Sequence, residues 1–255
     1  MDLTHRIIAL KPFKFVVGKE EKEIYLQSAL VAKWSKVLDK MMNSPLIEGQ
    51  PGYAVLADED VKTIASFAEF VYTGDYHLLT DESPTDSETE SHDTGDCQDS
   101  DMEFGSPLND HWAAFATSEE GKLQHSPAPV LNKGSISTDS SEFFIAHTKV
   151  IIFADCYGID APIDLSTRKL HQALCGFRLS KARVGDILAL VRFCYERPGP
   201  EKLKRLVASY SAAIMDPGVS HLMANCFEQR LKERGDFATD MALFLASRAA
   251  GGITC

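Results

Sequence analysis

No apolar run in this sequence is long enough to cross a bilayer: Ile7-Ile8-Ala9-Leu10 and Val150 to Ala154 fall far short of the ~18 residues a span requires. A secretory h-region is also missing, so the expected address is cytoplasm or nucleus, with no membrane role. Cysteine is sparse. The six residues (97, 156, 175, 194, 226 and 255) lie 19 or more positions apart with no CxxC, which excludes a zinc ribbon and a dense disulfide framework and reads as reduced thiols. No GxxxxGK[ST], GxGxxG, GxSxG or HExxH string occurs, so phosphate cradles, nucleophile elbows and helical zinc pairs lack support. The eight histidines never stand four apart. His147 and His171 therefore read as core or part-exposed residues, Cys156 and Cys194 as small hydrophobes on apolar faces. Asp93, Asp96, Asp99, Asp101 and Glu103 miss the calcium-loop order and read as a solvated acidic run. No catalytic, cofactor-binding or metal residues are assigned, and no enzyme is expected.

Positive charge is scarce too, but unevenly. The chain carries −11, and residues 81 to 142 hold 15 acidic residues against Lys122 and Lys133 alone, a segment charge of −13. The remainder is nearly balanced at +2. Acidity thus belongs to one segment rich in Ser, Thr, Asp, Glu, Gly and Pro, which lacks the apolar content to offset chain ordering. The composition predicts a disordered insertion over 81–142, with Trp112 and Phe115 its only adhesive side chains. Nucleic acid is not an expected partner: residues 164–234 reach only +6. Two readings of these charges stay open. Either the insertion folds back as a salt-sensitive cover over Lys181, Arg183, Lys202, Lys204 and Arg205, or the two regions are solvated independently.

What is present is a core's worth of apolar residues, 44% of 255. Phe13–Val17 and Glu23–Leu26 flank a Gly18-containing turn and predict a hairpin; Tyr53–Leu56 predicts a third strand. Leu30, Val31 and Trp34, then Val37, Leu38, Met41 and Met42, follow helical spacing, with Ser35 as cap of the second short helix. Asp58 or Asp60 caps a helix whose apolar positions run from Val61 to Val71. Gly74 closes it in the left-handed conformation, while Tyr72 and Tyr76 pack back on the preceding turns. Beyond residue 142 the spacing predicts helices over 143–157, 161–174, 180–196, 200–214, 219–234 and 237–248, with Ser180 a cap and Pro200 a first-turn proline.

This order, with Phe15-Val-Val-Gly18, Ser28-Ala-Leu-Val-Ala-Lys-Trp-Ser35, Leu56-Ala-Asp-Glu-Asp60, Phe67-Ala-Glu-Phe-Val-Tyr-Thr-Gly-Asp-Tyr76 and Val150-Ile-Ile-Phe-Ala-Asp-Cys-Tyr-Gly158, resembles the BTB/POZ family in the form common among fungal proteins. The resemblance implies an α+β fold, a small three-stranded sheet covered by helices, with residues 1–80 and 143–176 as one discontinuous domain. Residues 177–255 then form an all-helical extension. It also implies a non-catalytic protein–protein interaction module. Leu46, Ile47 and Glu48 match the short element through which some relatives contact a cullin-3 ubiquitin ligase scaffold; Leu46 reads equally well as a core anchor. The alternative is a homo- or heterodimeric scaffold pairing with another BTB chain, its contacts modulated by the acidic insertion. There Ile7, Ile8 and Leu10 supply a swapped strand, or else pack within their own chain. Pro12 and Gln27 stand where many relatives carry an aspartate and a histidine, so the charged pocket of co-repressor-binding members does not carry over.

Overall fold

A computed structural model of the chain describes residues 12–43, 52–78, 110–118, 140–177, 179–180, 183–215, 228 and 232–251. Strands β1 (Pro12–Val17) and β2 (Lys22–Gln27) form the expected antiparallel hairpin, and β3 (Tyr53–Leu56) lies parallel to β1, giving the order β2-β1-β3. Helices α1 (Ser28–Trp34) and α2 (Lys36–Asn43) follow the hairpin, and α3 (Val61–Thr73) follows β3. Every later described element is helical: α4 (Asp110–Ala116), α5 (Ser140–Cys156), α6 (Asp160–Gly176), α7 (Val184–Tyr195), α8 (Glu201–Ala213) and α9 (Gly235–Gly251). The architecture is mixed α/β, a small sheet with several helices.

Period-two patterning sends one face of the sheet inward. Phe13, Phe15 and Val17, Leu26, and Ala54 and Leu56 are buried together with Val31, Leu38, Ile64, Phe67 and Phe70 from α1, α2 and α3. Val150, Phe153, Ala154 and Ile159, from beyond the acidic segment, belong to this same core. Its caps do double duty. Ser35 Oγ accepts from Leu38 N–H at 3.0 Å, capping α2, and donates to the Tyr157 carbonyl at 2.6 Å. Asp60 Oδ1 accepts from Lys62 N–H at 2.8 Å, capping α3, while Oδ2 pairs with Lys149 of α5. Burial alone would raise the Asp60 carboxyl, but Lys149 and the Lys62 amide outweigh it and hold it below its ordinary value.

A second core gathers Phe144 and Ile151 of α5, Leu170 and Leu174 of α6, and the inner faces of α7, α8 and α9. The two cores meet on α5, whose Ile151 faces one and whose Val150 and Phe153 face the other. Helices α5 and α6 thus contribute side chains to both cores, on either side of the expected boundary at 176–177. The disordered reading of 81–142 is corrected for residues 110–118, which form α4 and its C-terminal turn with Phe115 buried, and for 140–142, which open α5. Ser180 is not a cap; its carbonyl accepts from Arg183 N–H at 3.0 Å, and α7 starts only at Val184. Pro200 sits one residue ahead of α8. Most of the expected 219–234 helix lies outside the described residues.

Gly74 ends α3 at φ +81°, its N–H donating to the Phe70 carbonyl. A Cβ there would meet no atom within 4 Å, so substitution is opposed by backbone conformation alone. Gly74→Ala is expected to cost about 1–2 kcal/mol, and Gly74→Asn less, since asparagine tolerates this region; urea titration of both variants checks it. Equal losses would mean that something other than the left-handed conformation sets the cost.

Candidate functional site

The inward face of the sheet is covered; its outward face is the open one. Register places Lys14 of β1 opposite Tyr25 of β2 and Tyr53 of β3, and Val16 opposite Glu23 and Val55. Tyr25 is 55% exposed and Val55 59%, and Tyr53 is also exposed. The charges on this face neutralise each other. Lys14 Nζ pairs with Glu23 Oε1 at 2.8 Å and stands 5.1 Å from the Tyr53 ring centre, while Tyr25 Oη donates to Glu23 Oε2 at 2.6 Å. Hydrogen bonds from Lys14 and then Tyr25 hold the Glu23 carboxyl below its usual range, and the Glu23 partner raises both Lys14 and Tyr25. The result is a flat surface of two tyrosines and two valines with one neutralised ion pair, bounded by β2 and β3, the edge strands among the described residues. Aromatic, charge-depleted surfaces of this kind characterise the centres of protein interfaces.

The end of α3 builds a second polar feature. Tyr76 is fully buried, as expected, but Tyr72 is not packed back: it is 54% exposed, and its Oη accepts from Gln27 N–H at 3.2 Å. It thus ties α3 to the end of β2. Tyr76 Oη and His147 Nδ1 are hydrogen-bonded at 2.7 Å, and Lys169 Nζ lies 4.6 Å from the Tyr76 ring centre, donating to the Tyr76 carbonyl at 2.5 Å and to Asp75 Oδ1 at 2.6 Å. Burial works against the Asp75 carboxylate, yet Lys169 and the Tyr76 amide outweigh it and keep the group below its ordinary value. His147 Nε2 is buried with no hydrogen-bond partner among the described residues. Burial first, and the Lys169 charge second, push His147 down to about 3.

The expected partner-binding residues Leu46, Ile47 and Glu48, the dimerisation residues Ile7, Ile8 and Leu10, and Lys181 lie outside the described residues. The rest of the expected electrostatic cover is divided among other tasks. Arg183 bonds Ser140 Oγ and stacks 4.4 Å from the Phe177 ring centre, and Lys202 pairs with Asp164 at 2.9 Å. Lys204 stands 5.8 Å from the Tyr195 ring centre, and Arg205 is exposed. What the described part of the insertion brings to α8 is aromatic rather than acidic: Trp112 and Phe115 of α4 meet Tyr210. Cys194 is buried as expected, whereas Cys156 is exposed because it falls on the outer side of the last turn of α5; Cys156, Cys175 and Cys194 are free thiols. The sheet face was missed by motif reading. Its signal was the alternation Lys14/Val16, Glu23/Tyr25 and Tyr53/Val55, which becomes a surface only once the sheet is known to be covered on one side.

Among the described residues no group of three or more His, Cys, Asp and Glu is placed to hold a metal ion, and no helix is long and apolar enough to cross a membrane. Comparisons with protein-family models, with curated proteins and with solved structures find no match.

Proposed function

We propose that this chain is a non-catalytic protein–protein interaction module of BTB/POZ type, working in cytoplasm or nucleus, that binds its partner through the open face of the sheet. The observation that carries the reading is the exposed trio of Tyr25, Tyr53 and Val55, with half-buried Val16 between them, around a self-neutralised Lys14–Glu23 pair. Tyrosines and valines can desolvate at low cost, and the internal ion pair leaves no net charge to strand in an interface. On this reading residues 1–80 and 143–176 form the BTB-like body, and the later helices extend it.

The first partner to test is a cullin-3-type ubiquitin ligase scaffold, suggested by Leu46-Ile47-Glu48 and by helices α7 and α8 beyond the body. A second reading, self-assembly into a homodimer or with a related chain, is favoured by β2 and β3, the edge strands among the described residues that flank the same face, since edge strands pair readily. Size-exclusion chromatography with light scattering separates them, run on the protein alone and mixed with a cullin-3 N-terminal fragment. The double variant Tyr25→Ser, Val55→Lys is expected to weaken whichever association is seen by at least ~10-fold, because a lysine must then be desolvated at the centre. Glu48→Lys is expected to abolish the cullin complex alone. Association unaffected by the sheet-face variant would remove the face from the account.

A further inference from the structure

The most unusual packing in the molecule is that of α4. It is seven residues long, far below the ~12–15 at which an isolated helix becomes stable in water, so its helicity depends on what it touches. It touches the body with one face. Trp112 and Phe115, at i and i+3, meet the Tyr210 ring of α8 at centroid distances of 6.2 and 5.3 Å, and Phe115 also meets the His171 ring of α6 at 4.7 Å. Ala113, Ala114 and Thr117 on the other side are exposed.

The body offers more than an apolar hollow. His171, itself 1% exposed, places Nε2 2.9 Å from the Phe115 carbonyl and 3.1 Å from Ser118 Oγ. A carbonyl only accepts, so Nε2 carries the hydrogen and donates it. The Phe115 carbonyl, in the last turn of α4, accepts from the Ser118 N–H at 3.1 Å and uses its second lone pair on this buried donor of α6. Two aromatic seats and a donor for the carbonyl beneath the second aromatic make a recognition pattern: an amphipathic helix, aromatic at i and i+3, ending at that point. Both walls are held independently of α4, since α6 packs on α5 and α8 on α7 and α9.

We propose that the hollow between α6 and α8 is a docking site for a short protein helix with aromatic side chains at i and i+3, that α4 is its resident occupant, and that a partner helix of the same pattern displaces it. This goes beyond the sheet face and does not depend on it; the two surfaces are built from different elements. A seven-residue helix seated on the body by one face exchanges more easily than α5 and α6, which are each packed into two cores.

The test uses the full chain and a fluorescein-labelled peptide of its residues 106–121 as probe. Ala114→Pro breaks α4 by removing the bond from residue 114 to the Asp110 carbonyl, and it alters only an exposed side chain, so the body is left intact. Phe115→Ala empties the deeper seat. The peptide is expected to bind both variants at least ten-fold tighter than the wild type, and a peptide lacking both aromatics to bind none. Hydrogen exchange on the wild type gives an independent reading: α4 amides are expected to exchange at least a hundred-fold faster than those of α8. Equal peptide affinity for wild type and Ala114→Pro, no binding to any form, or α4 amides as protected as α8 would each overturn the proposal.

Discussion

Truncating Phe153 to alanine is expected to lower stability by about 3–5 kcal/mol and the melting temperature by roughly 6–20 °C, in a single cooperative transition. Phe153 lies on α5, yet its ring is seated against Phe67 of α3 at 5.1 Å, and both are 2% exposed. Between them in sequence runs the whole acidic segment. Other ties across that gap join Ser35 to Tyr157, Asp60 to Lys149, Tyr76 to His147 and Asp75 to Lys169. A loop this long is tolerated because closure entropy grows only logarithmically with length, so these ties need not be exceptional to hold it shut. Removing the aromatic leaves a cavity at the seam that neither half can fill alone. Calorimetry distinguishes the alternatives: if the blocks on either side of the insertion were separate units, Phe153→Ala would split the melt or shift one of two transitions. A loss below about 1 kcal/mol would show that the seam is not closed by this contact.

The same seam shows how far the sequence could be read. Strands, α3 and its glycine end were legible because local chemistry decides them: alternation in Phe13-Lys-Phe-Val-Val17, an Asp60 cap, and a Gly74 that alone takes φ +81° without strain. The stripes of α7 and α8 were legible for the same reason, and Val184, Ile187, Val191, Cys194, Leu203, Leu206, Val207 and Tyr210 are all buried. The fate of Trp112 and Phe115 was not legible. Composition averaged over sixty residues speaks only for an average, whereas two aromatics at i and i+3 seat the short helix Asp110–Ala116 by tertiary contact that no window of local sequence contains. Tyr72 was misjudged for a related reason. Its helical position is about half a turn from Phe70 and about a quarter-turn from Val71, so it faces solvent and the end of β2 rather than the core. The open sheet face needed one more fact than the sequence holds, namely which side of the strands the helices cover.

Acidification provides the second large effect, and its sign follows from where His147 sits. In the unfolded chain an imidazole takes up a proton near pH 6.5, whereas in the fold burial and the Lys169 charge push His147 down to about 3. Among the described residues no carboxylate bonds this ring: Tyr76 occupies Nδ1, Nε2 has no partner, and the Asp75 carboxylate is held by Lys169 at 2.6 Å. Between pH 6.5 and about 3 the unfolded state therefore binds one more proton than the native state. Stability from this group is complete above pH 6.5 and declines as pH falls, by about 1.4 kcal/mol per unit once well below it. From pH 7.5 to 5.0 the loss is expected to be about 2 kcal/mol. Asp60 and Asp75, whose folded values are lowered, lose their contributions only below the ordinary carboxylate range and do not mask it. His147→Gln keeps a polar contact for Tyr76 but cannot titrate, so its stability at pH 7.5 should be lower than that of the wild type while its slope down to pH 5.0 is flatter by that amount. Urea denaturation of both proteins at half-unit steps measures the difference, and parallel slopes would mean that His147 either reaches solvent or finds an anion on protonation.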